Sequence, residues 1–213
     1  MKGVPEDWLD ATLDTPWKAA NEIRRLAAWP WARAYFAAHG VAWGRRWAIY
    51  GVPLIQRHRG SVIRAGDGFE VRSWFGTNPL GIRRRCLLST WSADALLELG
   101  EDVGLSGATI CARHAVRIGS RVMIGAGTTI VDTDFHPVDA ERRREAPVDG
   151  AAAPVAIGDD CFLGLNVTVL KGASIGAGSV VGAGAVVTGT VPARSVVAGN
   201  PARVVRTLDG DAP

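Results

Sequence analysis

Residues 157–191 read IGDDCFLGLNVTVLKGASIGAGSVVGAGAVVTGTV. In this stretch an apolar residue recurs at every sixth position: Ile157, Leu163, Val169, Ile175, Val181 and Val187. Four positions after each of them stands a small or β-branched residue: Cys161, Val167, Ala173, Ser179, Ala185 and Val191. An α-helix repeats about every 3.6 residues and a strand about every 2, so neither explains this period. A β-helix does, because each hexapeptide can form one side of a triangular prism and three can form one coil.

The same spacing occurs upstream in two shorter sets: Leu99, Leu105 and Cys111, and then Ile118, Ile124 and Ile130. One additional residue near Arg117 separates the two sets, which predicts a bulge or a wider corner. Residues 118–135 are then predicted to form one coil and residues 157–192 two. Between them lies the segment 136–156, which would leave the prism after a completed coil. A long segment of this kind inside a compact domain is usually functional or disordered.

Length and composition fit one main domain of 213 residues with enough apolar content for a core. No stretch is long and apolar enough to cross a bilayer, and the N-terminus lacks the apolar region of a signal peptide. The three cysteines have unrelated spacings, so neither a disulfide framework nor a zinc site is predicted. Cys111 and Cys161 are expected to be buried thiols on the inward side of the prism. We therefore expect a cytoplasmic protein without a bound metal.

The N-terminal part is basic and rich in tryptophan. Residues 1–90 contain 14 Lys and Arg against 7 Asp and Glu, whereas residues 91–213 contain 10 against 14. Six of the eight tryptophans fall in the first 50 residues: Trp8, Trp17, Trp29, Trp31, Trp43 and Trp47. Two short helices are predicted within residues 1–45. The first begins at Thr15 and Pro16, Pro30 separates the two, and Gly40 ends the second.

These helices are expected to cover one open end of the prism, whose strand edges would otherwise be unpaired. The predicted domains are a capping segment (1–60), a β-helix (61–206) and a tail (207–213). Tryptophan beside arginine also suits an interface, so a lobe that contacts a membrane surface or a polyanion remains an alternative. Nucleic-acid binding has little support beyond the basic N-terminus.

Three features together resemble the hexapeptide-repeat acyltransferases: the repeat array, the segment DTDFHP at residues 132–137, and the segment GNPARVVR at residues 199–206. The branch that holds galactoside and maltose acetyltransferases and the sugar O-acetyltransferases of exopolysaccharide clusters is the most similar. The resemblance covers about residues 99–206. It implies a left-handed parallel β-helix, a homotrimer and transfer of an acetyl group from acetyl-coenzyme A.

His136 is the candidate catalytic residue. Acyl transfer to a hydroxyl requires removal of its proton, stabilisation of an oxyanion and positioning of two substrates, and imidazole suits the first task near neutral pH. Asp132 and Asp134 precede it and are candidates for acceptor binding, although they could equally serve the turn. Asp134 could alternatively hydrogen-bond the imidazole. Ser106 and His114 complete the predicted acceptor set.

The resemblance also implies a set of cofactor-binding positions: Gly164, Leu165, Ala183, Thr188, Arg203 and Arg206. Arginine suits the phosphates of coenzyme A because its planar fork donates two hydrogen bonds. Two departures from the family pattern are Phe162, where relatives carry Trp, and Gly189, where a Lys is frequent. O-acetylation of a saccharide hydroxyl is the main hypothesis. The alternatives are N-acylation of an amino sugar, transfer of a longer acyl chain, and a prism that serves only assembly or binding.

Overall fold

The computed structural model describes residues 13–208, and most of them form a parallel β-helix. Trp8 and the end of the predicted tail lie outside these residues. Three sheets form the sides of the prism, with eight strands in sheet A and six each in sheets B and C. Successive strands enter sheets A, B and C in turn, so each coil adds one strand to every sheet. Neighbouring strands pair in parallel, except at the C-terminal end, where β20 runs antiparallel to β19.

Six coils and a final pair of strands make up the prism. Their strands are β1 (Ala48–Tyr50), β2 (Leu54–Gln56) and β3 (Val62–Ala65); β4 (Glu70–Arg72), β5 (Leu87–Thr90) and β6 (Leu96–Leu99); β7 (Gly104–Ser106), β8 (Thr109–Ala112) and β9 (Ala115–Ile118); β10 (Met123–Ile124), β11 (Thr129–Val131) and β12 (Val155–Ile157); β13 (Phe162–Leu163), β14 (Thr168–Val169) and β15 (Ser174–Ile175); β16 (Val180–Val181), β17 (Val186–Val187) and β18 (Thr190–Val191); and β19 (Ser195–Ala198) with β20 (Arg203–Thr207).

The core is a stack of the inward side chains that the six-residue period predicts. All six apolar positions between Ile157 and Val187 are buried, and so are the six small positions that follow them. Each fully buried Val, Leu or Ile contributes about 1.5–3 kcal/mol. One prediction needs correction: Cys111 pairs with Val131, whereas its neighbour Ile110 stacks in the inward column on Ile130. The step from the inward Leu105 to the inward Ile110 is five residues instead of six, so a strict six-residue count reaches Cys111.

Two predicted boundaries are also corrected. The β-helix begins at β1, before residue 61, and residues 48–99 form its first two coils. The long segment between β11 and β12, which we call the excursion, interrupts the fourth coil after its second strand. The sequence predicted it after a completed coil. The difference arises because Ile118 lies in sheet C and ends the third coil instead of beginning the fourth. The chain returns in β12, where Ile157 pairs with Ile118 on one side and Ile175 on the other.

One helix, α1 (Pro16–Ala38), replaces the two that were predicted, and Pro30 lies inside it. A proline inside a helix removes one backbone hydrogen bond and crowds the carbonyl four residues earlier, at a cost of about 3 kcal/mol. The buried side chains of Ala32 and Phe36 hold the following turns against the prism. Gly40 follows the last turn at φ 69°, and the Val41 amide donates to the Phe36 carbonyl, so the predicted glycine stop is confirmed.

Aromatic rings close the N-terminal end of the prism beneath α1. Phe36 is fully buried and meets Trp43 and Trp47 edge-on, with ring centroids 5.6 and 5.2 Å away. Trp47 in turn meets Phe69, which lies just before β4. The helix therefore packs over the first coil, beside β1. No helix among residues 13–208 combines the length and the apolar character that crossing a membrane requires.

Candidate active site

The excursion leaves the prism at the edge between sheets B and C and returns to the same edge. It contains one short helix, α2 (Ala140–Glu145), whose first turn is capped by the Asp139 carboxylate on the Arg142 amide. A bridge between Thr133 and Ala152 closes its base. Its two ends are therefore held together like those of a compact surface loop.

A tight turn at the start of the excursion orients His136. Phe135 has a φ of 62°, and the His136 amide donates to the Asp134 carbonyl at 2.7 Å. Gly150 packs against this turn so closely that an added Cβ would lie 2.5 Å from the His136 nitrogen. A side chain there would displace the turn, which makes Gly150 a positioning residue for the imidazole.

The His136 ring is exposed, and one of its nitrogens is already engaged. Nδ1 lies within hydrogen-bond distance of the Pro147 carbonyl oxygen. A carbonyl oxygen can only accept, so Nδ1 must hold the proton when this bond forms. The neutral ring then presents the lone pair of Nε2, which is the arrangement that a general base requires.

A cavity of about 470 Å³ opens beside His136. Its lining consists of Trp91, Ser92, Arg113, Thr133, Phe135, His136 and Val148. The rings of Trp91 and Phe135 meet edge-on at 5.5 Å and form an apolar wall. Arg113 donates to the Gly150 carbonyl at 2.6 Å and pairs with Asp149 at 3.3 Å, which ties the excursion to the preceding coil.

Asp132 supports this edge from inside the prism. Its carboxylate is completely buried and accepts hydrogen bonds from the backbone amides of Arg113, His114 and Ala115 at 2.6–2.7 Å. With no exposed surface and three backbone donors around it, this carboxylate is inaccessible to an acceptor, which contradicts its predicted acceptor-binding role. A bond to its own turn, the role that the sequence left open, is not observed either, because all three donors lie one coil earlier. Asp134 instead pairs with Lys171 at 3.2 Å and makes no hydrogen bond to the imidazole.

The structure separates the other two predicted acceptor residues from His136. His114 is exposed at the same edge one coil earlier, but Arg113 rather than His114 lines the cavity. Ser106 ends β7 at the edge between sheets A and B, where its hydroxyl accepts from the Asn78 amide. Sheet B separates these two edges, so Ser106 and His136 of one chain do not form a common site.

Most of the predicted cofactor-binding residues lie along the edge between sheets A and B. Gly164 and Ala183 stack there in consecutive coils, with Leu165 beside them. Arg203 begins β20 at the same edge, whereas Arg206 lies farther along sheet A. Thr188 is placed differently, between β17 and β18 on the His136 edge.

A second cavity, of about 540 Å³, lies against the edge between sheets A and B. Leu165, Asn166 and Ala126 form its floor, and residues 80–84 of the loop between β4 and β5 form its wall. Arg84 of this loop donates to the Gly127 carbonyl at 2.9 Å. The second cavity thus lies beside the predicted cofactor positions, and Leu165 is one of its lining residues.

Cys111, which lies behind the excursion, is not a competing nucleophile. Burial, together with the nearby Asp132 charge, raises the pKa of its thiol to about 11. The thiol therefore stays protonated near neutral pH, and a protonated thiol is a poor nucleophile.

Sequence reasoning missed Trp91, Arg113, Phe135 and Val148. A usable signal exists for the first two, because each directly follows a strand of sheet B. Thr90 pairs with Ala112, so the residues after them, Trp91 and Arg113, stack at the same edge. That signal depends on recognising β5 as a repeat strand. Phe135 and Val148 reach the cavity only through the path of the excursion.

Comparison with known proteins locates the repeat. The family profile described as the hexapeptide repeat of succinyl-transferase matches residues 154–189. A Staphylococcus aureus protein whose name assigns it provisionally to the acetyltransferases is 42% identical over 81 residues, which are 38% of this chain and 40% of that protein. A Schizosaccharomyces pombe protein with the same provisional name is 38% identical over 96 residues, 45% of each chain. The matches thus span less than half the length of these curated relatives.

Two solved structures show the same architecture along most of the chain. A hexapeptide-repeat acetyltransferase from Vibrio cholerae, solved with acetyl-coenzyme A, superposes with a TM-score of 0.55 at 23% identity, covering 97% of this chain and 92% of that one. The N-acyltransferase AntD from Bacillus cereus, a D94A mutant solved with dTDP and coenzyme A, gives 0.60 at 14% identity, covering 80% and 84%. At these identities the likeness concerns the fold. The chain folds as a left-handed parallel β-helix, matches the hexapeptide-repeat profile over residues 154–189, and over its repeats is similar to proteins named as acetyltransferases.

Proposed function

We propose that this protein transfers an acetyl group from acetyl-coenzyme A to a hydroxyl of a saccharide, with His136 as the general base. The main support is the imidazole at the cavity beside the excursion. Its Nδ1 is engaged by the Pro147 carbonyl, and its Nε2 is left free to accept a proton. The 42% identity to a protein named as an acetyltransferase supports the reaction class.

In this mechanism Nε2 of His136 removes the acceptor proton while the acceptor oxygen attacks the thioester carbonyl. The tetrahedral intermediate then collapses, the carbon–sulfur bond breaks, and the imidazolium returns its proton to the leaving thiolate. The Pro147 carbonyl stabilises the imidazolium through Nδ1 and keeps the ring in one orientation. General-base assistance of this kind accelerates a reaction by about 10²–10⁴-fold.

The wall of the His136 cavity is suited to a sugar ring. Trp91 and Phe135 present apolar surfaces on which the C–H face of a pyranose can pack, and Thr133 and Ser92 offer hydroxyls for hydrogen bonds. Trp91 is 57% exposed, so its indole is accessible to such a ligand. These residues replace Asp132 and Ser106 as the proposed acceptor contacts.

The donor is proposed to lie along the edge between sheets A and B. The stacked residues Gly164, Leu165 and Ala183 offer an extended chain of small side chains and backbone groups, and Arg203 provides a cation for a phosphate. Sheet B separates this edge from His136 within one chain. We therefore propose that copies assemble as a homotrimer, in which the donor edge of one copy faces the His136 edge of the next.

The test is release of free thiol from acetyl-coenzyme A in the presence of mono-, oligo- and amino-saccharides. We expect His136→Ala to lower kcat by about 10²–10⁴-fold with unchanged thermal unfolding. His114→Ala is the matched control, because that histidine is exposed at the same edge but does not line the cavity. Its kcat should stay within about twofold of wild type.

The result can contradict the proposal in three ways. Unchanged turnover in His136→Ala would require another base. Exclusive use of amino sugars would favour N-acylation. Failure of the wild-type protein both to bind acetyl-coenzyme A and to release thiol with any acceptor would favour a prism that serves only assembly.

A further inference from the structure

Helix α1 is apolar on two opposite faces. One face packs on the prism through Ala32 and Phe36, both buried. Ile23 lies nine residues before Ala32, which places it half a turn away on the opposite side of the helix. Ile23 and Leu26 are accordingly 69% and 60% exposed. The packing that closes the prism therefore accounts for only one side of this helix.

The outward face continues along the helix without a polar side chain. At three- and four-residue spacing it presents Ile23, Leu26, Ala27, Pro30 and Ala34, all exposed. Trp17 and Trp31 border this face and are 58% and 63% exposed. A surface helix of a globular protein normally turns charged or polar residues outward. A contiguous apolar face of this size indicates a binding surface.

The charges of the helix are almost all positive. Between Pro16 and Ala38 the only carboxylate is Glu22, and it is used on the prism side, where it accepts from Tyr50 and Arg25. Arg24 and Arg33 flank the outward face. Among the residues that the structure describes, Arg24 has no ion pair and Arg33 contacts only the Trp29 ring, at 4.8 Å. The partner of this face should therefore be anionic.

We propose that the outward face of α1 binds the surface of an anionic lipid bilayer, with the helix lying parallel to the membrane plane. Apolar residues bordered by arginine and tryptophan are the composition of helices that bind in this way. A symmetric contact with the same face of a second copy is disfavoured, because it would bring Arg24 and Arg33 of both copies together. The proposal concerns a surface remote from the His136 cavity and stands independently of the acetyl transfer.

Co-sedimentation of the full chain with vesicles tests the apolar part. The wild-type protein should bind phosphatidylcholine vesicles that contain phosphatidylglycerol much better than vesicles of phosphatidylcholine alone. The double variant Ile23→Ser, Leu26→Ser should bind at least about tenfold more weakly. Val62→Ser is the matched control, since Val62 is also exposed (46%) but lies on β3 of the first coil. It should bind like wild type.

The charge variants test the anionic character of the ligand. Arg24→Gln and Arg33→Gln should each weaken binding about fivefold at low salt, since one such charge near an anionic bilayer is worth about 1 kcal/mol. Raising the salt concentration should reduce the difference, because the Debye length shortens. Arg59→Gln removes an equal charge from the loop between β2 and β3 and should have little effect.

Light scattering of the same proteins tests the alternative, in which the outward face of α1 binds a second copy of this chain. Suppose that the double variant has a lower oligomeric mass and the wild-type protein does not bind anionic vesicles. The outward face of α1 would then bind a second copy of this chain, and the proposal would be wrong. It is equally wrong if the wild-type protein binds neither vesicle type, or if Val62→Ser loses binding as fully as the double variant. Turnover of a water-soluble acceptor by the double variant should match wild type.

Discussion

The fourth coil and the two regular coils that follow it pair strand for strand, yet they differ at the edge between sheets B and C. In the regular coils, residues 162–191, only a few residues turn this corner between β14 and β15 or between β17 and β18. In the fourth coil the corner expands into the whole excursion between β11 and β12. Thr129 still pairs with Thr168, and Ile157 still pairs with Ile175. An edge can therefore lengthen without moving the sheets.

The two kinds of coil use different side chains for different purposes. The regular coils bury Val, Ile and Leu, and their corners contain small residues. The fourth coil buries the carboxylate of Asp132, holds Phe135 at a positive φ and packs Gly150 against a backbone turn. Strain and buried charge are costly and persist where they serve a site. Substitutions in the regular coils should therefore affect stability, and substitutions in the excursion should affect activity, with Asp132 linking the two.

The largest effect is expected for Asp132→Asn. The carboxylate accepts three backbone hydrogen bonds, whereas an amide would direct its own N–H groups at some of those donors. We expect a loss of roughly 4 kcal/mol in the free energy of unfolding, measured in urea, and reduced turnover as well. Asp134→Asn is the control, because it removes only a half-exposed ion pair with Lys171 and should cost less than about 1 kcal/mol. Equal losses in the two variants would contradict this account.

Ile175→Ala tests the regular coils. Ile175 is buried between Ile157 and Val191 in the stack of sheet C, so its truncation leaves a cavity. The free energy of unfolding should fall by about 3 kcal/mol. Measured well below the unfolding temperature, kcat should stay within about twofold of wild type. A large decrease in kcat would show that the regular coils and the site are coupled.

The fold was predictable where the repeat is uninterrupted, because an inward residue at every sixth position has no other regular explanation. The β-helix was predicted from residue 61, but the strands before Leu99 could not be placed in coils. Ile49 and Ile55 keep the six-residue spacing, but the loop between β4 and β5 places Val71 and Leu88 far apart in the sequence. An insertion at a corner leaves the coil intact in the structure, but the six-residue spacing is then no longer visible in the sequence.

The site was predictable only in part, for a related reason. His136 was predicted as the base from its place in the DTDFHP segment, where the chain leaves the prism. Trp91 and Arg113 are separated in sequence by a whole coil, and only the register of β5 with β8 brings them together. The role of Asp132 depends on three amides of the preceding coil, which no local pattern reveals.

Gly150→Ala tests whether Gly150 positions the His136 imidazole independently of its effect on the stability of the fold. The added methyl group would overlap the backbone of Phe135 and His136, so the turn must shift and carry the imidazole with it. A displacement of about 1 Å can lower turnover by about 100-fold. We expect that loss in kcat, with the KM for acetyl-coenzyme A unchanged.

Gly176→Ala is the counterpart in the regular coils. Its methyl group would overlap the backbone of Ala193 in the next layer of the prism. It should lower the unfolding temperature and leave kcat near wild type. If Gly150→Ala and Gly176→Ala behaved alike, the division between regular coils and excursion would not hold.

The smallest effect is expected for Trp91→Ala, which tests the cavity wall. More than half of this indole is exposed, so its removal should change stability little. Its packing on a sugar face should contribute about 1–2 kcal/mol to acceptor binding, so the acceptor KM should rise about tenfold while kcat changes little. Phe75→Ala is the control, since Phe75 is an exposed aromatic residue on the loop between β4 and β5. An unchanged acceptor KM in Trp91→Ala would place the acceptor outside this cavity. It would not contradict the role of His136 as the base, because the His136→Ala variant tests that role separately in the thiol-release assay.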